Sequence, residues 1–181
     1  MKVIDTTIAD VKICEPVVHG DSRGFFLESF NERVFSERIG RMVRFVQDNH
    51  SRSEYGVLRG LHYQINHIQG KLVRVVHGEI FDVAVDLRRT SPTFGKWFGT
   101  RLSSENFRQL WIGEGLAHGF VVISDYADVL YKTTDFYSPQ DERCISWCDA
   151  ALDIDWPIDG EPKVSDRDRR GVAFREAELF P

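Results

Sequence analysis

The stretch "GVLRGLHYQ", residues 56 to 64, puts an arginine, a glycine and a histidine inside what otherwise reads as a short β-strand. A histidine there is the side chain best suited to take a proton near neutral pH. Strict alternation from Leu58 places Gly60 and His62 on one face, with Arg59, Leu61 and Tyr63 on the other. A bulge at Gly60 would instead turn Arg59 and His62 toward one cavity, because a strand glycine often marks a bulge or a close backbone approach. The alternative is a regular strand carrying an exposed arginine and a hydrogen-bonded histidine, and these nine residues leave both open.

Other groups extend the list. Lys71 opens the next apolar run, "KLVRVV", where it is either solvated or brought by a hairpin near His62. Arg23 and Glu28 flank two phenylalanines in "DSRGFFLESF", and Gln47, Asp48 and Asn49 follow one another in "FVQDNH". Amides and arginines beside aromatics are what a nucleotide base and a diphosphate require. His118 precedes an apolar run, where it either caps a turn or faces a ligand, and Tyr131 shares a strand face with Val129 and Thr133, the pattern of core packing. A core tyrosine still needs a partner for its hydroxyl, so lining a cavity is a second reading. Ser165 stands three residues before Asp168, the spacing of a helix cap. His50, His62, His67 and His118 raise the question of a metal, but no H-x-H pair flanks His62, and no metal is expected.

These groups need a frame. Between residues 43 and 137 short β-branched or aromatic runs alternate with turn signals, the pattern of an antiparallel sandwich or barrel. In "EIFDVAVDL", Phe81, Val83, Val85 and Leu87 share one face, read as core, while Asp82 and Asp86 fall on the other, the pattern of a half-buried strand. "NERVFSERIG" reads as a helix, with Asn31 as N-cap and Gly40 at the C-terminal cap. Residues 138 to 181 read as an irregular wrap ending in a short helix, and one domain over residues 1 to 181 is the expectation.

Composition narrows the partners. A net charge of −5 offers no global field for nucleic acid or an anionic membrane, so an anionic ligand must be held by local cations. Cys14, Cys144 and Cys148 lack a usual zinc or redox spacing and read as inert thiols. No signal peptide and no apolar run long enough to span a bilayer are visible, so a soluble cytoplasmic protein is expected.

Taken in order, "DSRGFFLESF", "FVQDNHSRSEYGVLRGLHYQ", "QGKLVRVVHGEIFDVAVDLRRTSPTFGKW", "LSSENFRQLWI", "GLAHGF" and "LYKTTDFYSP" closely resemble the dTDP-4-dehydrorhamnose 3,5-epimerase family. The resemblance implies an all-β double-stranded β-helix, a cupin-type jelly roll, acting as a homodimer on a dTDP-sugar without metal or organic cofactor. It implies His62 as base with Asp168 as its dyad partner, Tyr131 as proton donor and Lys71 beside the C4 oxygen. It also implies substrate binding by Arg23, Glu28, Gln47, Asn49, Arg59, His118, Glu142 and Arg167.

The chemistry is coherent, because C3 and C5 both flank the C4 ketone and loss of either proton gives an enolate. Inversion then requires a proton returned from the opposite face. Some positions depart from the family pattern: "INHIQG" is shorter than in some relatives, Gly113 stands where proline is common, Leu116 where phenylalanine is common, and Arg167 where lysine is frequent. Relatives that epimerise only C3 or only C5 share most of these motifs. A metal-dependent cupin enzyme and a non-catalytic nucleotide-sugar binder are the readings from other classes.

Overall fold

The computed structural model describes residues 1–181. Its strands, in chain order, are β1 (Lys2–Asp5), β2 (Val11–Glu15), β3 (Val18–Asp21), β4 (Gly24–Leu27), β5 (Gln47–Glu54), β6 (Leu58–Gln64) and β7 (Lys71–His77). They continue as β8 (Glu79–Asp86), β9 (Trp97–Ser103), β10 (Gln109–Ile112), β11 (Leu116–Val122), β12 (Tyr126–Thr133) and β13 (Glu142–Cys144). Helix α1 (Glu32–Ile39) separates β4 from β5, and α2 (Asp166–Arg169) follows β13. No helix is long and apolar enough to cross a membrane.

Two antiparallel sheets make the jelly roll, one ordered β1-β2-β10-β7-β12-β5 and the other β13-β6-β11-β8-β9, while β3 and β4 form a separate hairpin. Apolar side chains from both sheets fill the space between them, among them Val73, Val75, Ile80, Leu110, Phe120 and Val129. A second core lies under the C-terminal segment, where Ile145, Leu152 and Phe180 pack against Leu61, Val83 and Val85. A third joins α1 to the six-stranded sheet, with Phe35 edge-on to Trp111 at 5.5 Å between ring centres.

Helix α1 forms where the caps predict. Asn31 Oδ1 accepts the Val34 N–H at 3.2 Å, and Gly40 takes the left-handed conformation, φ 83°, while its N–H donates to the Ser36 carbonyl. The short helix near the C-terminus is α2, capped by Ser165.

Two expectations need correction. Strand structure begins at Lys2, not near residue 43; β1 to β4 are four or five residues each and mostly half-buried or exposed, too short to show a clear alternation. Asp82 and Asp86 do not face water: both are fully buried, because β8 is an inner strand covered on both sides. Val83, Val85 and Leu87 face the C-terminal segment, whereas Ile80 and Ala84, sharing a strand face with Asp82, face the interior between the sheets.

Candidate active site

The β6–β11 ladder changes register in its middle. His118 stands opposite His62, yet Phe120 stands opposite Arg59, so β6 accommodates one extra residue at Gly60 and Leu61. This is the bulge, and it turns Arg59 and His62 into one cavity of about 350 Å³. The close approach that requires glycine is visible too. A Cβ at Gly60, where φ is 125°, would lie 2.5 Å from the Gly119 Cα and 2.8 Å from the His118 carbonyl oxygen. Both obstacles are backbone. Gly60→Ala is therefore expected to cost roughly 1–3 kcal/mol for the φ angle and a similar amount for overpacking. Thermal unfolding of the variant would show a midpoint well below wild type; an unchanged midpoint would refute the tight crossing.

The jelly roll brings the sequence-selected residues together from both sheets. β6 supplies Arg59 and His62, β11 supplies His118, and β13 supplies Glu142. From the facing sheet come Gln47 and Asn49 on β5, Lys71 on β7 and Tyr131 on β12, while Arg167 reaches in from α2. His62 and Tyr131 thus belong to opposite sheets and line the same space.

Asp168 lies behind His62, 4% exposed, with its Oδ1 2.5 Å from His62 Nε2. Ser165 Oγ donates to Asp168 Oδ2 at 2.9 Å and accepts the Asp168 N–H at 3.1 Å. The helix cap and the dyad are therefore compatible roles of one short helix. Burial works to raise the Asp168 carboxyl, but the His62 hydrogen bond and charge and the Ser165 hydroxyl outweigh it and hold the group below its ordinary value. Asp168 is an anion that fixes the Nε2–H tautomer of His62 and leaves the lone pair on Nδ1.

Lys71 is 7% exposed and donates from Nζ to the His62 carbonyl oxygen at 3.3 Å. Burial pushes its ammonium down to about 8, against the opposing pull of Asp82. Asp82 accepts from His118 Nε2 at 2.6 Å with one oxygen, and its other oxygen has no hydrogen-bond partner. His118, itself buried within β11, faces the cavity and does not cap a turn. Tyr131 is partly buried, its hydroxyl pushed up by desolvation, and Arg59 donates only its Nε, to Ser53 Oγ at 3.0 Å. The terminal guanidinium nitrogens of Arg59 make no side-chain hydrogen bond within the chain.

At the mouth, Glu142 is ion-paired with Arg167 and accepts the Tyr137 hydroxyl at 2.5 Å. Tyr137 was not singled out from the sequence, where its only signal is an aromatic in a turn-rich segment. Gln64 was missed as well, although alternation from His62 puts it on the cavity face. Its amide donates to the carbonyls of His67 and Phe136 and accepts the Ser138 N–H, so it ties two loops to the rim. Asp82 escapes sequence reading, because alternation alone does not mark the polar face of a strand as buried.

Arg23 and Glu28 stand apart from the other sequence-selected residues. Neither lines the cavity of its own chain. Arg23 pairs with Asp21 at 2.5 Å on the β3–β4 hairpin, and Glu28, just beyond it, accepts from Asn31 Nδ2 at 3.2 Å. The four histidines also do not converge: His50, His62, His67 and His118 pair with Asp128, Asp168, Asp135 and Asp82 respectively.

A cupin-type jelly roll with a His–Asp pair, a buried lysine and a tyrosine around one cavity defines a proton-transfer isomerase. The chain belongs to the dTDP-4-dehydrorhamnose 3,5-epimerase family, whose sequence model matches residues 5–176. It is 62% identical over 181 residues to the dTDP-4-dehydrorhamnose 3,5-epimerase of Pseudomonas aeruginosa, covering 100% of both chains. Among solved structures it resembles the dTDP-6-deoxy-D-glucose-3,5-epimerase of Legionella pneumophila in complex with dTDP-4-keto-L-rhamnose. That similarity has a TM-score of 0.95 and 51% identity, covering 98% of this chain and 94% of the other. A 3'-monoepimerase from Streptomyces bikiniensis, in complex with dTDP-quinovose, is more distant at 34% identity and a TM-score of 0.89, covering 94% and 86%.

Proposed function

We propose that this chain inverts C3 and C5 of dTDP-4-dehydro-6-deoxy-D-glucose, giving dTDP-4-dehydro-L-rhamnose in dTDP-L-rhamnose biosynthesis, through enolates and without a cofactor. The observation that carries this reading is the placement of His62 and Tyr131 on opposite sheets around one cavity. His62 Nδ1 takes the proton from the carbon beside the ketone, and Asp168 stabilises the imidazolium that results. The electron pair moves to the C4 oxygen, where the Lys71 ammonium balances it. Tyr131 returns a proton to the other face of the same carbon. Arg59 holds the diphosphate by charge-assisted hydrogen bonds, and Gln47, Asn49, His118, Glu142 and Arg167 orient the remainder of the substrate.

Turnover in deuterium oxide tests this. Deuterium at both C3 and C5 of the product, read by proton NMR after coupled reduction, is the expected result. Label at one carbon only would make the chain a single-position epimerase, as the Streptomyces relative is named, and no label would end the enolate mechanism.

The working unit is a homodimer in which Arg23 and Glu28 act across the interface. Support comes from the hairpin that carries Arg23: Phe25 and Phe26 on it are 63% and 70% exposed, an apolar surface unusual on a monomer. Mixing Arg23→Ala chains with His62→Ala chains checks it. If the hairpin serves the partner's cavity, mixed dimers contain one intact site and regain activity; if it serves its own chain, the mixture stays as inactive as its parts.

A further inference from the structure

Cys144 has no part in the mechanism above, yet it sits against the dyad. Strand β13 pairs with β6 so that Cys144 stands directly opposite His62, and its Sγ is 3.9 Å from Asp168 Oδ1. Ligand atoms of His62, Cys144 and Asp168 all lie within 4.8 Å of one another. Imidazole, thiolate and carboxylate are three donor types that tetrahedral zinc accepts, at bond lengths of about 2.0–2.3 Å. Those lengths place neighbouring ligand atoms roughly 3.3–3.8 Å apart in a tetrahedron. The His62–Asp168 contact of 2.5 Å would have to open by about an ångström, and the Cys144–Asp168 contact of 3.9 Å is already near the required spacing.

We propose that His62 Nε2, Cys144 Sγ and Asp168 Oδ1 form an inhibitory site for a thiophilic divalent cation of the zinc class, with water from the cavity as fourth ligand. Thiolate and carboxylate together neutralise the dication. The thiol proton leaves to solvent, and the imidazole proton passes from Nε2 to Nδ1 as the metal takes the Nε2 lone pair. A proton on Nδ1 occupies the pair that would accept the substrate's proton, so the bound metal silences the base without entering the reaction. The inhibition, though not the binding, rests on the proposed role of His62.

The site is tested first without turnover. Equilibrium dialysis of the full chain against Zn²⁺ should give one equivalent bound, with affinity in Cys144→Ser weaker by more than the roughly 10- to 100-fold that losing an outer-shell partner costs. Cys148→Ser should bind as wild type. With Co²⁺ as probe, wild type should show a near-ultraviolet sulfur-to-cobalt charge-transfer band that Cys144→Ser lacks. Zn²⁺ should then stop deuterium exchange, chelator should restore it, and Cys144→Ser, with basal turnover unchanged, should need correspondingly more Zn²⁺. Equal zinc affinity in wild type and Cys144→Ser, or a cobalt complex lacking the sulfur band, overturns the site. A failure of the epimerase reading alone would leave both binding results standing.

Discussion

His62→Ala is expected to abolish deuterium incorporation at both carbons and to lower turnover by at least the roughly 10²–10⁴-fold that a positioned general base supplies. The substitution leaves Asp168 buried without its 2.5 Å partner, which costs stability by itself. His62→Asn is therefore the companion variant, since its amide can still donate to the carboxylate while offering no basic nitrogen. Both variants should lose exchange equally; circular dichroism of His62→Asn checks that the fold survives. Normal exchange in a folded His62→Asn protein would falsify the assignment. Asp168→Asn attacks the same base from behind. An amide nitrogen facing His62 Nε2 favours the other tautomer, with the lone pair on Nε2 instead of Nδ1, so its activity should fall although every ring atom stays close to its place.

Lys71→Met should lower turnover by about a hundred- to a thousandfold, the usual consequence of losing one donor at a developing oxyanion. Its effect on stability should run the other way. In the folded chain the Lys71 ammonium titrates at about 8, against an ordinary value of 10.5. Between these two pH values the native state has released the proton while the unfolded chain keeps it, so this group's contribution makes stability rise with pH across that window. Below about pH 8 the buried ammonium carries its full penalty, on the order of 3 kcal/mol. Methionine, unbranched and similar in size, removes that penalty, and the thermal midpoint of Lys71→Met at pH 7 should not fall below wild type. Activity carries the opposite sign. The free enzyme needs the ammonium, so kcat/KM of the wild type should decline as pH rises through about 8, and the residual activity of Lys71→Met should lack that limb. A lower midpoint together with unchanged turnover would make Lys71 a structural lysine.

These two sites also show what the sequence alone makes legible. The α1 helix could be read because its caps are local: Asn31 and Gly40 declare both ends within ten residues. The bulge at Gly60 stays one of two readings in the sequence because the strand it faces is distant. The backbone it crosses belongs to Gly119, on a strand nearly sixty residues later. Periodicity reported that Asp82 lies opposite Val83 and Val85 across β8, but periodicity has no means of telling a wet face from a second buried one. Cys144 is the same limitation in another form, since its neighbour His62 is set by the β6–β13 register and not by any spacing along the chain. Arg23 and Glu28 show a further limit: the motif that carries them does not say that it folds as a hairpin away from its own chain's cavity.

The division of the site between two sheets has one more consequence. His62 and Asp168 belong with the five-stranded sheet, Lys71 and Tyr131 with the six-stranded one, and the apolar layer of Val73, Ile80, Phe120 and Val129 sets the distance between them. Under the proposed mechanism, the thickness of the sandwich is therefore a kinetic quantity. An added methylene in that layer would widen the gap between the group that removes the proton and the group that returns it. Deprotonation would then outpace inversion, and substrate would emerge labelled but unturned.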